Sequence, residues 1–379
     1  MDTIVRTEAG QELRPAIKAV GYAAKHCFSH LKPFEFERES AGENEVEIKV
    51  LYCGVCHSDI HQVKNEWHNT VYPCMPGHEV IGRVTRIGGG VTRHKVGDLV
   101  GVGCMIDSCG RCEPCKAGAE NYCESPNGWL GTYNGPAVPA DKAPGHANIY
   151  GRDNTYGGYS TVLVVKQDFV LKIPSALDPD SAAPILCAGV TAYSALKRWN
   201  VQAGKYVGIL GFGGLGNIGA KLAKAMGAHV TIFTRNRQKL EEATQLGFSA
   251  ILESDEQAFQ AAASSFDFIL STIPEKHDLN PYIALLRRDS TICVVGCLEP
   301  MDPIDNLEVV MHRKDIAGSL IGSLKETQEV LQFCAEHDIA PDIQVIRIDE
   351  LNAAYRNVEN GDVRFRYVID MASLQATPA

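Results

Sequence analysis

The sequence predicts an α/β protein with two domains, one an irregular β-rich domain and the other a doubly wound parallel sheet. Its 379 residues exceed the length of one typical hydrophobic core. Up to about residue 186, short β-rich segments such as "VEIKVLYCGV" and "VIGRVTRIG" alternate with turns rich in Gly, Pro and Asn. After that point strands and helices alternate, as in "YVGILGFGG", "NIGAKLAKAMG" and "HVTIFT", which is typical of βαβ units. A helical "KETQEVLQFCAEH" from about residue 325 and a strand in "RFRYVIDM" follow.

The composition favours a protein that acts on small molecules. With 36 basic and 46 acidic residues the net charge is −10, which argues against a nucleic-acid surface. No apolar stretch approaches the length of a membrane span. The N-terminal sequence has no basic region leading into an apolar run, so we expect no secretory signal and a cytoplasmic protein. Thirteen cysteines, an odd number spread partly over strand-like runs, do not resemble a disulfide framework.

Four cysteines are concentrated in "DSCGRCEPCKAGAENYC" with the spacing C-x2-C-x2-C-x7-C: Cys109, Cys112, Cys115 and Cys123. Four thiolates on tight turns can close a tetrahedral shell around Zn²⁺ and leave no position for substrate. An iron–sulfur cluster is the nearest alternative, but the bacterial ferredoxin run closes with x3-Cys-Pro and this one with x7-Cys-Glu. We therefore predict a structural zinc lobe over about residues 104–125.

A second group of metal ligands is predicted in "CGVCHSDIHQ" at 53–62 and "PGHEVIG" at 76–82. Cys56, His78 and a third ligand from a distant segment would form a three-ligand site with one open position, as in catalytic zinc sites. Either residue alone is more often a packing residue, so the spacing leaves both interpretations open.

The glycines of "GILGFGGLGNIG" indicate a dinucleotide site. Gly211, Gly213 and Gly216 form G-x-G-x-x-G between an apolar strand and a helix, the Rossmann arrangement in which the backbone approaches a pyrophosphate. Glycine-rich turns are common elsewhere, but the βαβ setting makes this motif specific.

The end of the following strand, "VTIFTRNRQK", predicts the choice of cofactor. Thr234 stands where an NAD site carries an acidic residue, and Arg235, Arg237 and Lys239 follow it. A hydroxyl and guanidinium groups would bind a 2′-phosphate that a carboxylate would repel, so NADP(H) is favoured over NAD. The alternative is an ordinary solvated basic start of a helix.

These motifs together resemble the zinc-dependent medium-chain dehydrogenase/reductase family over nearly the whole chain, in the order "GVCHSD", "GHE", the cysteine lobe, "CAGVTAY", "GFGGLG" and "DVRFRYVID". The details are most similar to the cinnamyl alcohol dehydrogenase group and, within it, to bacterial NADPH-dependent aldehyde reductases. The resemblance implies a GroES-like catalytic domain of residues 1–187 and 325–379, a Rossmann cofactor domain of residues 188–324, and a homodimer joined through the cofactor domains. The loop at 138–156 is longer than the family pattern.

The resemblance also implies residue roles. Cys187 would be the third catalytic zinc ligand, Glu79 would bind zinc when substrate is absent, and Asp59 would hold the zinc-binding histidine. Ser58 and His61 would relay a proton. Further residues are expected around the cofactor and the substrate: His57, Thr191, Gly214 and Leu215 at the cofactor, and Trp67 and Trp129 in an apolar pocket.

The expected activity is reversible hydride transfer between NADPH and aromatic or medium aliphatic aldehydes, with two zinc ions per chain. A non-catalytic dinucleotide-binding zinc protein with a redox-sensing role is the alternative. Ser58 and His61 argue against it because a sensor needs no proton relay, whereas the seven cysteines outside the two zinc sites leave some room for it.

Overall fold

The computed structural model describes residues 5–6, 12–138, 148–361 and 366–375. Its strands are, in chain order, β1 (Val5–Arg6), β2 (Glu12–Leu13), β3 (Ala16–Ala23), β4 (Lys32–Glu39), β5 (Glu45–Gly54), β6 (Val80–Ile87), β7 (Leu99–Val102), β8 (Met105–Asp107), β9 (Leu130–Gly131), β10 (Val162–Lys166), β11 (Leu171–Lys172), β12 (Tyr206–Leu210), β13 (His229–Thr234), β14 (Ser249–Leu252), β15 (Phe266–Ser271), β16 (Leu286–Val294), β17 (Asp315–Gly318), β18 (Ile343–Arg347) and β19 (Arg366–Asp370). Its α-helices are α1 (His57–Val63), α2 (Glu113–Lys116), α3 (Pro179–Ala182), α4 (Ala188–Arg198), α5 (Gly214–Ala225), α6 (Arg237–Gln245), α7 (Glu256–Ala261), α8 (Asn280–Ile283), α9 (Asn306–His312), α10 (Leu324–Glu336), α11 (Leu351–Glu359) and α12 (Ala372–Gln375).

The chain divides into two compact units, the first of residues 1–186, 343–362 and 367–379 and the second of residues 187–342 and 363–366. The family resemblance predicts that the chain returns to the first unit at residue 325, whereas in the structure it returns at residue 343. Helix α10 belongs to the second unit because its buried side packs on α4, where Ser194 Oγ donates to Glu326 Oε2 at 3.1 Å. The rings of Tyr193 and Phe333 add a contact between the two helices.

The first unit is built on an antiparallel sheet in the order β11-β7-β6-β5-β19-β18, with β10 also paired to β5. Strand β5 alternates buried Val46, Ile48 and Val50 with less buried residues, as expected for a strand with one face in the core. Its Cys53 pairs with Val80 at the start of β6. This register brings the segment after β5 beside the segment before β6, and these segments carry Cys56 and His78.

The cysteine lobe leaves and rejoins the first unit at one place. Strand β8 pairs with β9, with Met105 opposite Gly131 and Asp107 opposite Leu130. The chain between these strands therefore forms a loop whose two ends are adjacent, and this loop contains the four clustered cysteines.

The second unit is a six-stranded parallel sheet in the order β14-β13-β12-β15-β16-β17. In this order β12 and β15 lie side by side, and the connections from them run in opposite directions across the sheet. This is the doubly wound dinucleotide-binding topology. The core between sheet and helices is apolar and includes Leu210, Phe233 and Ile269. The predicted fold class is confirmed.

Of the helices in the described residues, none combines the length and the apolar character that crossing a lipid bilayer requires.

Candidate active site and cofactor-binding loop

Two thiols, one imidazole and one carboxylate converge in a buried cluster, which we call the catalytic cluster: Cys56, His78, Glu79 and Cys187. All four are buried, and one ligand atom from each lies within 4.8 Å of the others. Cys56 is the N-cap of α1, His78 and Glu79 directly precede β6, and Cys187 is the N-cap of α4. Each ligand therefore stands at the end of a regular element, where its position is well defined.

Asp59 holds the first part of this cluster in place. Its carboxylate is fully buried, and Oδ1 accepts hydrogen bonds from the Gly77 N–H at 3.1 Å and from His78 Nδ1 at 3.0 Å. Oδ2 accepts from the Cys56 N–H at 2.9 Å, which closes a capping box at the start of α1. One carboxylate thus joins the Cys56 turn to the His78 loop.

The hydrogen bond to Asp59 also sets the state of the His78 ring. A carboxylate can only accept, so Nδ1 carries the hydrogen and Nε2 is the atom that can bind a metal. Burial alone would lower the pKa of His78, but the charge and hydrogen bond of Asp59 raise that pKa well above its usual value.

Two glycines make room for the cluster. A Cβ on Gly54 would lie 1.9 Å from Glu79 Oε2. Gly77 has φ +102, and a Cβ there would lie 2.7 Å from the Tyr159 amide nitrogen. Side chains at these positions would displace Glu79 or the His78 loop, which explains the glycine of "PGHE".

The donor set fits a zinc ion. Thiolate, imidazole and carboxylate are the ligands that zinc prefers, and a carboxylate behind the imidazole is typical of such centres. The four side chains could hold the metal.

The predicted relay residues lie next to this cluster on α1. Ser58 Oγ is 3.6 Å from Cys56 Sγ. The ring of His61 lies between those of His57 and Trp67, with centroid distances of 5.4 and 5.6 Å. His61 Nδ1 pairs with the carboxylate of Glu66, so one ring nitrogen of the predicted relay histidine is already engaged.

The second cluster consists of the four lobe cysteines, whose sulfur atoms also lie within 4.8 Å of one another. Backbone N–H groups point at the sulfurs: Cys112 N donates to Cys109 Sγ at 3.4 Å and Glu124 N to Cys112 Sγ at 3.5 Å. Burial would raise the pKa of Cys123, but backbone hydrogen bonds at Cys109 and Ser125 bring it below its usual value. The set fits a closed tetrahedral zinc site.

The glycine loop lies in the second unit between β12 and α5. Gly211 has φ +84, and a Cβ on Gly216 would lie 2.1 Å from the Gly211 carbonyl oxygen, so both must be glycine. Gly213 is the N-cap of α5, and a Cβ there would meet nothing within 4 Å. The open N-terminus of a twelve-residue helix, with Gly214 and Leu215 in its first turn, suits a pyrophosphate.

The predicted phosphate-binding residues differ in their surroundings. Thr234 ends β13, is buried, and accepts the Asn236 N–H at 3.2 Å. Arg235 and Arg237 are exposed beside it. Lys239 Nζ instead forms an ion pair with Glu242 at 3.2 Å, so it is less suited to bind a phosphate than the sequence suggested.

The remaining predicted residues belong to different elements of the two units. Thr191 is buried on α4, where its N–H donates to the Cys187 carbonyl at 2.9 Å. Trp67 is half-buried against His61, whereas Trp129 is half-buried directly before β9, at the base of the lobe. Of the long loop at 138–156, residues 139–147 lie outside the described residues, and Tyr150 OH anchors the rest to the Gly128 carbonyl.

Comparison with known proteins gives the family. Residues 42–175 match the alcohol dehydrogenase GroES-like domain, and residues 214–336 match the zinc-binding dehydrogenase family. Aldehyde reductase YahK of Escherichia coli is 49% identical over 94% of this chain and 99% of its own. The NADP-dependent alcohol dehydrogenase C 1 of Mycolicibacterium smegmatis is 45% identical over 94% and 98%.

The chain belongs to the medium-chain alcohol dehydrogenase/reductase family. Solved structures agree: the cinnamyl alcohol dehydrogenase SbCAD4 of Sorghum bicolor superposes with a TM-score of 0.87 at 41% identity, covering 94% of this chain and 98% of its own. A cinnamyl alcohol dehydrogenase of Helicobacter pylori, described as complexed with NADP(H), gives 0.85 at 37%, with coverages of 94% and 99%. This alcohol dehydrogenase is therefore an oxidoreductase of the alcohol dehydrogenase and aldehyde reductase class.

Sequence reasoning missed three residues around the catalytic cluster. Gly77 supplies an N–H to Asp59, Glu66 engages His61, and Tyr159 reaches Asp59 from a distant segment. The positive φ of Gly77 could have been suspected from "PGHE". Neither Glu66 nor Tyr159 belongs to a motif with a known mechanism, so only the folded arrangement reveals them.

Proposed function

We propose that this alcohol dehydrogenase is an NADP(H)-dependent aldehyde reductase that carries one catalytic and one structural zinc ion and acts on aromatic or medium aliphatic aldehydes. The catalytic cluster carries this proposal, because it combines a zinc-type donor set with a carboxylate behind its histidine. The relatives named aldehyde reductase and NADP-dependent alcohol dehydrogenase support the activity and the cofactor.

The residues of the cluster have separate tasks. When bound, zinc supplies a Lewis acid that polarises a carbonyl oxygen, and NADPH supplies the hydride. Cys56, His78 and Cys187 would hold the metal, and Asp59 keeps His78 Nε2 turned toward it. Ser58, beside Cys56, would give a proton to the product oxygen, and His61 would restore that proton.

Selection of NADPH is assigned to the two exposed arginines that follow β13. Lys239 is engaged by Glu242, so Arg235 and Arg237 are better placed to bind a 2′-phosphate, with the Thr234 hydroxyl beneath them. Charge-assisted hydrogen bonds are typically worth about 1.5–3 kcal/mol each. We therefore expect NADPH to exceed NADH in kcat/KM by roughly a hundredfold.

The decisive assay follows oxidation of NADPH and NADH with a panel of aromatic and aliphatic aldehydes. Thr234→Asp combined with Arg235→Ala should invert the cofactor preference, because it adds repulsion as well as removing attraction. Lys224→Ala, which removes a basic side chain near the end of α5, is the matched control and should leave the ratio unchanged. Equal use of both cofactors by the wild type, or a double mutant that still prefers NADPH, would contradict the phosphate assignment.

The same assay separates the enzyme from the redox-sensing alternative. Absence of turnover with every aldehyde, while zinc is fully bound, would contradict the proposed activity. Membership of an enzyme family weighs against that alternative.

We also assign the homodimer to a surface of the second unit. On and near α9, Leu298, Leu307, Val310 and Met311 are between 64% and 73% exposed. Strand β17 is the edge of the sheet, paired with β16 on one side within the described residues. A second copy of the chain on this surface would bury the exposed apolar side chains and cover the unpaired edge of β17. Light scattering should give a dimer mass that Val310→Asp with Met311→Asp halves, and a wild-type monomer would contradict the assignment.

A cytoplasmic location is supported by the thiols. Within the described residues, which include all thirteen cysteines, no disulfide is formed, as expected in a reducing compartment, and cell fractionation would test the location.

A further inference from the structure

Tyr159 lies in "YGGYST" and is one of the largest fully buried side chains of the first unit. Its hydroxyl donates to Asp59 Oδ2 at 3.0 Å. This makes Tyr159 the fourth donor to Asp59, after the Gly77 and Cys56 backbone groups and His78. Each oxygen of the buried carboxylate therefore receives two hydrogen bonds.

The base of the Tyr159 ring is fixed to the loop that carries His78. Gly157 N donates to the Met75 carbonyl at 2.8 Å, Gly158 N to the Gly77 carbonyl at 2.8 Å, and Tyr159 N to the Pro76 carbonyl at 3.1 Å. A Cβ on Gly157 would lie 2.4 Å from the Pro76 oxygen, so the two glycines permit this close approach. The Tyr159 side chain is therefore held at both ends, by the backbone of residues 75–77 at its base and by the Asp59 carboxylate at its hydroxyl.

Tyr159 also has the right protonation state to donate. Burial, and then the negative charge of Asp59, raise the pKa of Tyr159 well above its usual value, so the hydroxyl keeps its proton. A second buried tyrosine, Tyr355 on α11, makes a long contact of 3.5 Å from its own hydroxyl to that of Tyr159. Tyr355 does not donate to Asp59 itself.

We propose that Tyr159 is a positioning residue for the catalytic metal centre, acting through Asp59 on His78. Without the phenol hydroxyl, Oδ2 would lose a donor inside the protein, and a buried acceptor that lacks a partner costs free energy. The carboxylate would relax by rotating, and that rotation moves Oδ1, which orients the His78 ring. The inference rests on the proposed zinc site at the catalytic cluster.

The test measures metal binding rather than turnover. Zinc transfer from the full-length protein to an excess of the chelator 4-(2-pyridylazo)resorcinol should show two components, of which Cys56→Ser removes the catalytic one. Tyr159→Phe keeps the ring and deletes only the hydroxyl. We expect it to weaken the catalytic component by about tenfold, the lower end of the usual range for groups behind metal ligands, with the lobe component unchanged.

Tyr355→Phe is the matched control, since it deletes a buried hydroxyl one step farther from Asp59, and it should change zinc affinity by less than about threefold. With Co²⁺ in the catalytic site, the visible absorption bands should shift in Tyr159→Phe and not in Tyr355→Phe. Unchanged affinity and spectrum in Tyr159→Phe, or equal weakening of both zinc components, would overturn the inference. A wild type without a catalytic component would instead overturn the proposed metal centre and this inference with it.

Discussion

The two cysteine-containing clusters of this alcohol dehydrogenase are alike in size and opposite in construction. The lobe takes all four ligands from residues 109–123, an excursion between two short strands. The catalytic cluster takes its ligands from three separate segments and adds a buried carboxylate to hold them. The lobe has backbone N–H groups around its sulfurs, whereas the catalytic cluster has a network of side chains around its histidine.

From this difference we expect the lobe to depend on its metal for folding, and the catalytic cluster to be held in place by the protein itself. In the lobe, the cysteines lie on short helices and turns, so bound zinc should supply much of the folding energy. In the catalytic cluster, the Asp59 carboxylate already joins Cys56 to the His78 loop, which leads directly into β6. Loss of metal should therefore damage the fold in one place and the chemistry in the other.

The largest contrast is expected from cysteine replacements. Cys112→Ser should leave little folded protein, because the loss of one thiolate ligand weakens zinc binding in the lobe and with it the folding free energy that zinc supplies. Cys56→Ser should remain folded yet lose more than about 1,000-fold in kcat/KM, because the metal no longer has its ligands. Circular dichroism and the aldehyde assay measure the two effects. A folded Cys112→Ser variant or an unfolded Cys56→Ser variant would contradict the proposed difference between the two clusters.

A matched pair of glycines extends the contrast to stability. Gly77 and Gly110 both have positive φ, but a Cβ on Gly77 would meet the Tyr159 nitrogen at 2.7 Å and a Cβ on Gly110 would meet nothing within 4 Å. Gly110→Ala should cost about 1 kcal/mol of unfolding free energy from backbone strain alone. Gly77→Ala should cost about 3 kcal/mol or more, because overlap adds to strain. Denaturant titration gives both values, and equal costs would show that the His78 loop is not rigid.

Removing the charge of Asp59 should affect one cluster only. Asp59→Asn retains the shape but cannot accept from four donors, so we expect the catalytic zinc to bind about 100-fold more weakly. The lobe zinc should be unaffected, and chelator competition resolves the two. If both ions were lost together, Asp59 would be needed for the fold and not specifically for the metal site.

The smallest effect is expected outside both clusters. His61→Ala should slow turnover by one to two orders of magnitude through loss of proton transfer, with both zinc ions retained. Glu66→Gln removes the carboxylate that pairs with His61, and it should change the pH–rate profile with little loss of stability. A rate profile that His61→Ala leaves unaltered at every pH would remove His61 from the mechanism.

The same contrast explains what could be predicted from sequence. The four lobe cysteines are close along the chain, so spacing alone predicts a metal site there, and the glycine loop is predicted because its strand and helix are local too. Cys187 needed the family resemblance, since nothing near it in sequence marks it as a ligand. Tyr159 and Glu66 escaped because pairing across distant segments is decided by sheet register and loop packing, which no local motif records. The sequence predicts Lys239 as a phosphate-binding residue from the run of basic side chains, whereas the structure adds its ion pair with Glu242, one helical turn away on α6.

The pairing of β5 with β19 has a consequence for the order in which the newly made chain acquires its metals. The lobe cysteines emerge from the ribosome within one short stretch and can bind zinc while the rest is still being made. Strand β5 ends two residues before Cys56, and its partner β19 is synthesised far later; the Val55 N–H is bonded to the Tyr367 carbonyl at 2.9 Å. Domains tend to fold from the N-terminus during synthesis, and the pairing of β19 with the end of β5 can form only after the lobe has been made. If both clusters bind zinc as proposed, we therefore expect the lobe to take up its metal before the catalytic cluster is complete.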